Sequence, residues 1–186
     1  NIQTDTPMNW LLASEVAFLK AEYKLMTGDA AGAKSDYEEG IRLSFLENGL
    51  STSEADQYAA SEKVPGRFND VSENPTKYTA SALGRVTVKW KDDGNELERI
   101  ITQKWIACFP LGNEAWAEYR RTGYPRLLPS PDASGMGIEQ GGMPGRVPYP
   151  QNEFTDNAVN YAEALKLLGG PDNMATRLWW DCKPNK

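Results

Sequence analysis

A chain of 186 residues is long enough to bury one domain-sized core, and its 20 basic against 26 acidic side chains leave a formal charge of -6. A surface of that sign repels phosphate backbones, which argues against nucleic acid as a partner. Histidine is absent, which removes Ser-His-Asp and Cys-His nucleophile systems and histidine-held metals, and no run approaches the roughly 18 apolar residues of a membrane span.

Residues 1 to 48 read as a helical hairpin. Leu12, Val16, Leu19, Tyr23 and Met26 follow helical spacing and predict the apolar face of a first helix that Gly28 ends. Asp29 can cap a second helix whose buried side is Ala33, Tyr37, Ile41 and Phe45, and the small Ala13, Ala17 and Ala21 let the two helices approach closely. The pair has about the length of one tetratricopeptide unit, present in one well-formed copy, so its partners are expected to be later helices or a segment outside this sequence.

Residues 49 to 94 form a loop-rich excursion. Periodicity fades from Gly49 to Leu83, apart from a short polar helix expected at 54 to 62 around Tyr58. Val86, Val88 and Trp90 then alternate with Thr87 and Lys89 and predict a short strand, followed by a turn at 91 to 94.

Residues 95 to 126 predict a central helical hairpin. Asn95 and Glu98 have the spacing of a capping box. Leu97, Ile100, Ile101, Trp105 and Cys108 then make one apolar face, while Arg99, Gln103 and Lys104 point away. Pro110 stops this helix, and Leu111 and Gly112 make a corner. Asn113 can cap a second helix that carries Glu114 in its first turn, sets Trp116 and Tyr119 on one side, collects Arg120 and Arg121 in its last turn and stops at Gly123.

Residues 127 to 186 open with a Pro/Gly-rich tract that must be extended or turned. Its Gly135, Gly137 and Gly141 miss the spacing of a dinucleotide fingerprint. A last helix is expected at about 158 to 168, with Ala158, Tyr161, Ala162, Leu165 and Leu168 on one face and Gly169 with Pro171 as its stop. If the closing TRLWWD is extended, Trp179 and Trp180 face opposite ways, so burying both requires protein on both sides of a tail threaded back onto the body. The expected fold class is mainly α: tetratricopeptide-like helical hairpins with long ordered loops and little β structure.

Glycosidic cleavage needs two carboxylates about 5 to 9.5 Å apart with one pKa raised, and nothing selects a pair among the 26 acidic residues. KDDGNELE lacks the acidic spacing of a calcium loop and reads as turn plus cap, so neither a cofactor nor a metal is expected. Cys108 and Cys182 leave two alternatives open, a long-range bridge in an oxidising compartment or a free thiol packed on the apolar face. The remaining chemistry is aromatic. Sugars stack their C–H faces on rings while Arg, Asn, Asp and backbone groups bond the hydroxyls. Trp105 and Trp116 sit on helix faces and read as core. Trp90 beside its turn and Tyr124 in the RRTGYPR corner are the candidate stacking platforms, with Arg121 as the hydroxyl donor; the competing reading of that corner is a helix end stitched to the core by arginine hydrogen bonds.

The blocks SEVAFLKAEYKLMTGDAAGAKSDYEEGIRLSF, ERIITQKWIACFPLGNEAWAEYRRTGYPRL, GRVPYPQNEF and TRLWWD, in this order, resemble the C-terminal half of SusD/RagB-type nutrient-binding lipoproteins of Bacteroidetes. The resemblance implies a cell-surface protein of tetratricopeptide-like helical pairs, held to the outer membrane by a lipidated cysteine. It also implies capture of a glycan or other nutrient for a SusC-like TonB-dependent transporter, and a binder rather than an enzyme. Members of that family are considerably longer, and Asn1 opens without an initiator Met or signal-peptide regions, so this sequence is expected to be a C-terminal piece whose lipid anchor lies upstream. Ligand residues vary among members, so none is carried over from the resemblance. The alternatives are a tetratricopeptide-like interaction scaffold with no ligand site in this segment and a carboxylate-dependent glycosidase.

Overall fold

Asp29 accepts the Gly32 amide hydrogen at 2.8 Å, and this cap separates α1, Ala13–Met26, from α2, Ala30–Glu47. The computed structural model describes residues 9–71, 78–128 and 143–181, and the chain divides into two units. The first comprises Asn1–Phe68 with Ser81–Leu127, the second Asn69–Ala80 with Leu128–Lys186.

In the first unit α1 and α2 meet through small residues, but Ala13, expected among them, is exposed. Ala17, Ala21 and Ala33 are buried, and Phe18 lies edge-on to Tyr37 with centroids 6.2 Å apart. Gly40 makes room for that ring: a Cβ there would stand 2.7 Å from the Phe18 ring. The apolar face predicted for α1 is corrected. Val16, Leu19, Tyr23 and Met26 are exposed, and the buried side is Ser14, Glu15, Ala17, Phe18, Ala21 and Glu22. Close approach selects the alanine face, and the polar groups on it are satisfied: the Ser14 amide and hydroxyl both donate to the Glu47 carboxylate, at 3.0 and 2.6 Å.

The polar helix expected at 54 to 62 is α3, Thr52–Ala59, started two residues earlier by a capping box between Ser51 and Glu54. Tyr58 packs on Phe45 at 5.4 Å and its hydroxyl donates to Gln103. Residues 86 to 90 are not a strand. Val88 and Lys89 donate to the carbonyls of Lys63 and Ser61 without continuing into a ladder, although Val86 and Trp90 do turn inward. The described strands are β1, Phe68–Asn69, paired with β2, Thr79–Ala80.

The central hairpin is α4, Glu96–Ala107, and α5, Gly112–Thr122. Its capping chemistry differs from expectation. The Asn95 side chain turns back to Asp93 and the Glu98 carboxylate accepts from Arg126, so no capping box forms; α5 starts after Leu111, so Asn113 is already helical. Gly123 stops α5 with φ +79°, as its position predicts. Ile100, Ile101 and Cys108 are buried, but so are Arg99, Gln103 and Lys104, which the periodicity places outside. Arg99 can be buried because all three of its nitrogens are bonded: its guanidinium donates to the carbonyls of Thr87 and Lys91, each at 3.0 Å, and to Asp93. It thereby pins the 87–93 segment to α4.

In the second unit α6, Gln151–Asp156, precedes α7, Ala158–Leu168; α6 follows Pro150 and no helix was expected there. Gly169, at φ +73°, ends α7 as predicted. Tyr161, Leu165 and Leu168 are half-buried, whereas Ala158 and Ala162 face solvent. The tail is turned at Trp179 and Trp180 rather than extended, and Trp179 is 92% exposed, so the expected burial of both rings does not occur. Cys182 and residues 129 to 142 of the Pro/Gly tract lie outside the described residues.

Candidate functional site

Arg121, the expected hydroxyl donor, closes the last turn of α5 and reaches α1. Its two terminal nitrogens bond the Glu22 carboxylate at 2.6 and 2.7 Å, and one of them also bonds Glu118 at 2.7 Å. Three of its five N–H donors are thus committed to carboxylates. The Glu22 bonds come first among the causes that raise the Arg121 pKa. The chain of charges continues inward, since Glu118 also accepts from Lys104 at 2.7 Å, with Glu15 and Glu114 each 3.8 Å from the same ammonium. Burial opposes ionisation of Glu118, but its bonds from Lys104 and Arg121 outweigh that and lower its pKa. Glu15 moves the other way, raised chiefly by burial. These residues tie α1, α4 and α5 together.

Tyr124 follows the left-handed Gly123 and is half-buried, its amide hydrogen donated to the Thr122 hydroxyl at 3.1 Å. The Arg126 guanidinium lies 5.8 Å from its ring centre while Arg126 Nε donates to Glu98. The corner is therefore stitched by arginines on both sides of Tyr124.

Trp90, read as a stacking platform, is only 8% exposed. Its ring packs 5.3 Å from Tyr37 and its Nε1 donates to Asp92, so no open face is offered to a sugar. The reason is two anchors: Arg99 bonds Thr87 and Lys91 and draws the segment against α4, and the Tyr37 hydroxyl of α2 donates to the Val88 carbonyl. Trp90 nevertheless lines a cleft of about 250 Å³ with Lys34, Glu38, Arg42, Asp56 and Lys89. Arg42 and Asp56 are paired there at 2.7 Å. Trp90, Arg121 and Tyr124 each have a different set of partners, and none of the three bonds or stacks on another.

The sequence reading missed Asp172. In the second unit it accepts from Arg146 at 2.6 Å and from the Tyr149 amide and the Tyr161 hydroxyl at 3.2 Å. Burial opposes its ionisation, yet those donors, Arg146 foremost, hold its pKa below the ordinary aspartate value. Arg146 and Asp172 both sit in loops 26 residues apart, where no periodicity links them.

A family model described as "SusD-like: Susd and RagB outer membrane lipoprotein" matches residues 1–181. The chain resembles a SusD homologue of Bacteroides thetaiotaomicron, with TM-score 0.87 and 38% identity over 100% of this chain and 40% of that one. A SusD homologue of Bacteroides ovatus gives 0.80 and 43% over 92% of this chain and 37% of that one. A chitin-binding SusD homologue of Flavobacterium johnsoniae gives 0.78 and 37% over 92% and 36%. No functionally curated protein sequence matches the chain. The chain thus spans about two fifths of the length of these relatives, and its mostly helical, tetratricopeptide-like architecture is theirs. With a family match across nearly all of its length and this agreement in fold, the chain belongs to the SusD-like family of SusD and RagB outer membrane lipoproteins.

Proposed function

We propose that this chain is the C-terminal part of a cell-surface glycan-binding lipoprotein that passes its ligand to a SusC-like TonB-dependent transporter. The match to the family over residues 1–181 carries this reading, and the chitin-binding homologue at 37% identity supports a carbohydrate as the ligand class. The family description, an outer membrane lipoprotein, supports attachment through a lipid anchor; among the described residues no helix is long and apolar enough to cross a membrane. The protein binds its glycan without cleaving it.

Within this segment Tyr124 and Arg121 are the contacts to test first, because Tyr124 is half-exposed and Arg121 keeps two N–H groups outside its ion pairs. Trp90 is only 8% exposed where it lines its cleft and is the weakest of the three. The test is calorimetric titration of the folded chain with soluble polysaccharides, beside affinity purification of the full-length protein from outer membranes. Saturable binding without release of reducing sugar, and recovery of a TonB-dependent transporter, are expected. A folded chain and a full-length protein that both ignore every glycan would sink the reading.

A further inference from the structure

The second unit holds a cleft of about 300 Å³ lined by Tyr149, Glu153, Asn157, Asn160, Tyr161 and Ala164. Tyr149 is its rigid wall. The Arg146 guanidinium backs the ring at 5.2 Å, Tyr161 meets it edge-on at 5.9 Å and 85°, and Asp172 holds its backbone amide. The ring is still 38% exposed. A ring held by two neighbours, on a backbone tied to Asp172, offers its free surface with little ordering cost when a ligand arrives.

The same cleft is lined by a chain of polar groups with spare capacity. Asn157 Nδ2 donates to Glu153 Oε2 at 2.8 Å, and Asn160 Nδ2 donates to Asn157 Oδ1 at 2.6 Å. Those bonds fix the three side chains and leave Glu153 Oε1 and Asn160 Oδ1 as acceptors, with the second N–H of each amide as a donor. Fixed donors and acceptors beside an aromatic wall suit a ring that carries C–H on its face and hydroxyls on its rim. Glu153 is the single charged residue in the lining, so an anionic ring is repelled. The volume lies at the lower end of small-molecule sites, about 300 to 1,000 Å³. It admits one ring of a chain that continues outward.

We infer that this cleft between Tyr149 and the Glu153–Asn157–Asn160 row is a binding subsite for one neutral sugar unit. The ligand class rests on the glycan-binding reading above; the place does not. Tyr149 supplies the stacking wall, Asn160 and Glu153 bond the hydroxyls, and the small Ala164 side chain leaves room in the lining.

The test titrates the whole chain with cellotetraose, maltotetraose and chitotetraose, and with tetragalacturonate as the anionic counterpart. One neutral tetrasaccharide is expected to bind and tetragalacturonate is not. Asn160→Ala removes an exposed amide and Ala164→Phe puts a large ring into the lining; each should weaken binding by about tenfold with the thermal melt retained. Binding that both Asn160→Ala and Ala164→Phe leave unchanged overturns the cleft while the glycan-binding reading stands. A folded chain that binds no neutral probe overturns both, and tighter binding of tetragalacturonate overturns the neutral class.

Discussion

Lys104 and Glu118 meet at 2.7 Å where their side chains are 1% and 7% exposed. A second carboxylate, Glu15, stands 3.8 Å from the same ammonium and is shifted in the opposite direction from Glu118. One cation thus has a strong partner and a strained neighbour. Glu118 is held below its ordinary value of 4.5, so its stabilisation is present above that pH and is lost as pH falls through its lowered folded value. Glu15 is raised above 4.5, so its charged form opposes folding at neutral pH and that penalty disappears once it protonates.

Glu118→Gln leaves a buried ammonium short of its closest anion and should cost about 3 to 5 kcal/mol at pH 7. Glu15→Gln should be at least as stable as the parent chain at pH 7, with the difference closing below pH 4.5. Urea unfolding at pH 7, 5.5 and 4 reads both. Equal destabilisation by the two variants would show that the ammonium does not distinguish them.

Cys108 is fully buried, and burial first, then Glu15, pushes its thiol pKa up to about 12. At pH 8 the thiolate fraction is then on the order of one in ten thousand, and the thiolate is the reactive form. With reductant present, iodoacetamide should leave the Cys108 peptide unmodified in the native chain and label it in urea. Rapid native labelling would place the thiol in a more open environment than the α4 core.

Two glycines on helices should respond oppositely to alanine. At Gly40 the added methyl meets the Phe18 ring at 2.7 to 2.9 Å, and that ring is already packed on Tyr37, so Gly40→Ala should cost about 1 to 3 kcal/mol. Gly112 opens α5 with nothing within 4 Å of a Cβ, so Gly112→Ala should stabilise by about 0.4 to 1 kcal/mol. Thermal melts that move both variants the same way would contradict the packing at one position.

The helix ends at Asp29, Gly123 and Gly169 are legible in the sequence because their chemistry is local: a side-chain acceptor three residues before an amide, or a residue free to adopt positive φ. Ser51 and Glu54 carry the same local signal, which a helix begun at residue 54 passes over. The face of α1 is not local. Val16, Leu19, Tyr23 and Met26 make the better apolar stripe, but which stripe packs depends on what α2 presents, and Gly40 with Ala33 and Tyr37 receives Phe18 and the alanines. Arg99 and Lys104 fail for the same reason. A charge can be buried where distant groups satisfy it, and Thr87, Lys91, Asp93 and Glu118 are fixed by the fold. The candidate site follows suit: the arginine-stitched corner around Tyr124 was one of two readings in view, whereas the Arg146–Asp172 pair that sets the Tyr149 wall has no sequence pattern at all.

Trp90 separates packing from recognition. Its ring fills space against Tyr37 and its Nε1 is satisfied by Asp92, so Trp90→Ala opens a cavity in the first unit and should cost about 3 to 5 kcal/mol. Tyr124 sits half-exposed beyond the end of α5, and Tyr124→Ala should cost about 1 kcal/mol, the usual size for a substitution outside the core. Lost glycan affinity in Trp90→Ala is therefore uninterpretable unless the melt is unchanged, whereas the same loss in Tyr124→Ala points to contact. Trp90→Phe supplies the missing control, because it keeps an aromatic packed on Tyr37 while giving up the larger indole and its N–H in the lining shared with Lys34 and Arg42. Trp90→Phe that keeps full affinity makes Trp90 a core residue alone. Trp90→Phe that folds and loses affinity assigns the indole to the ligand.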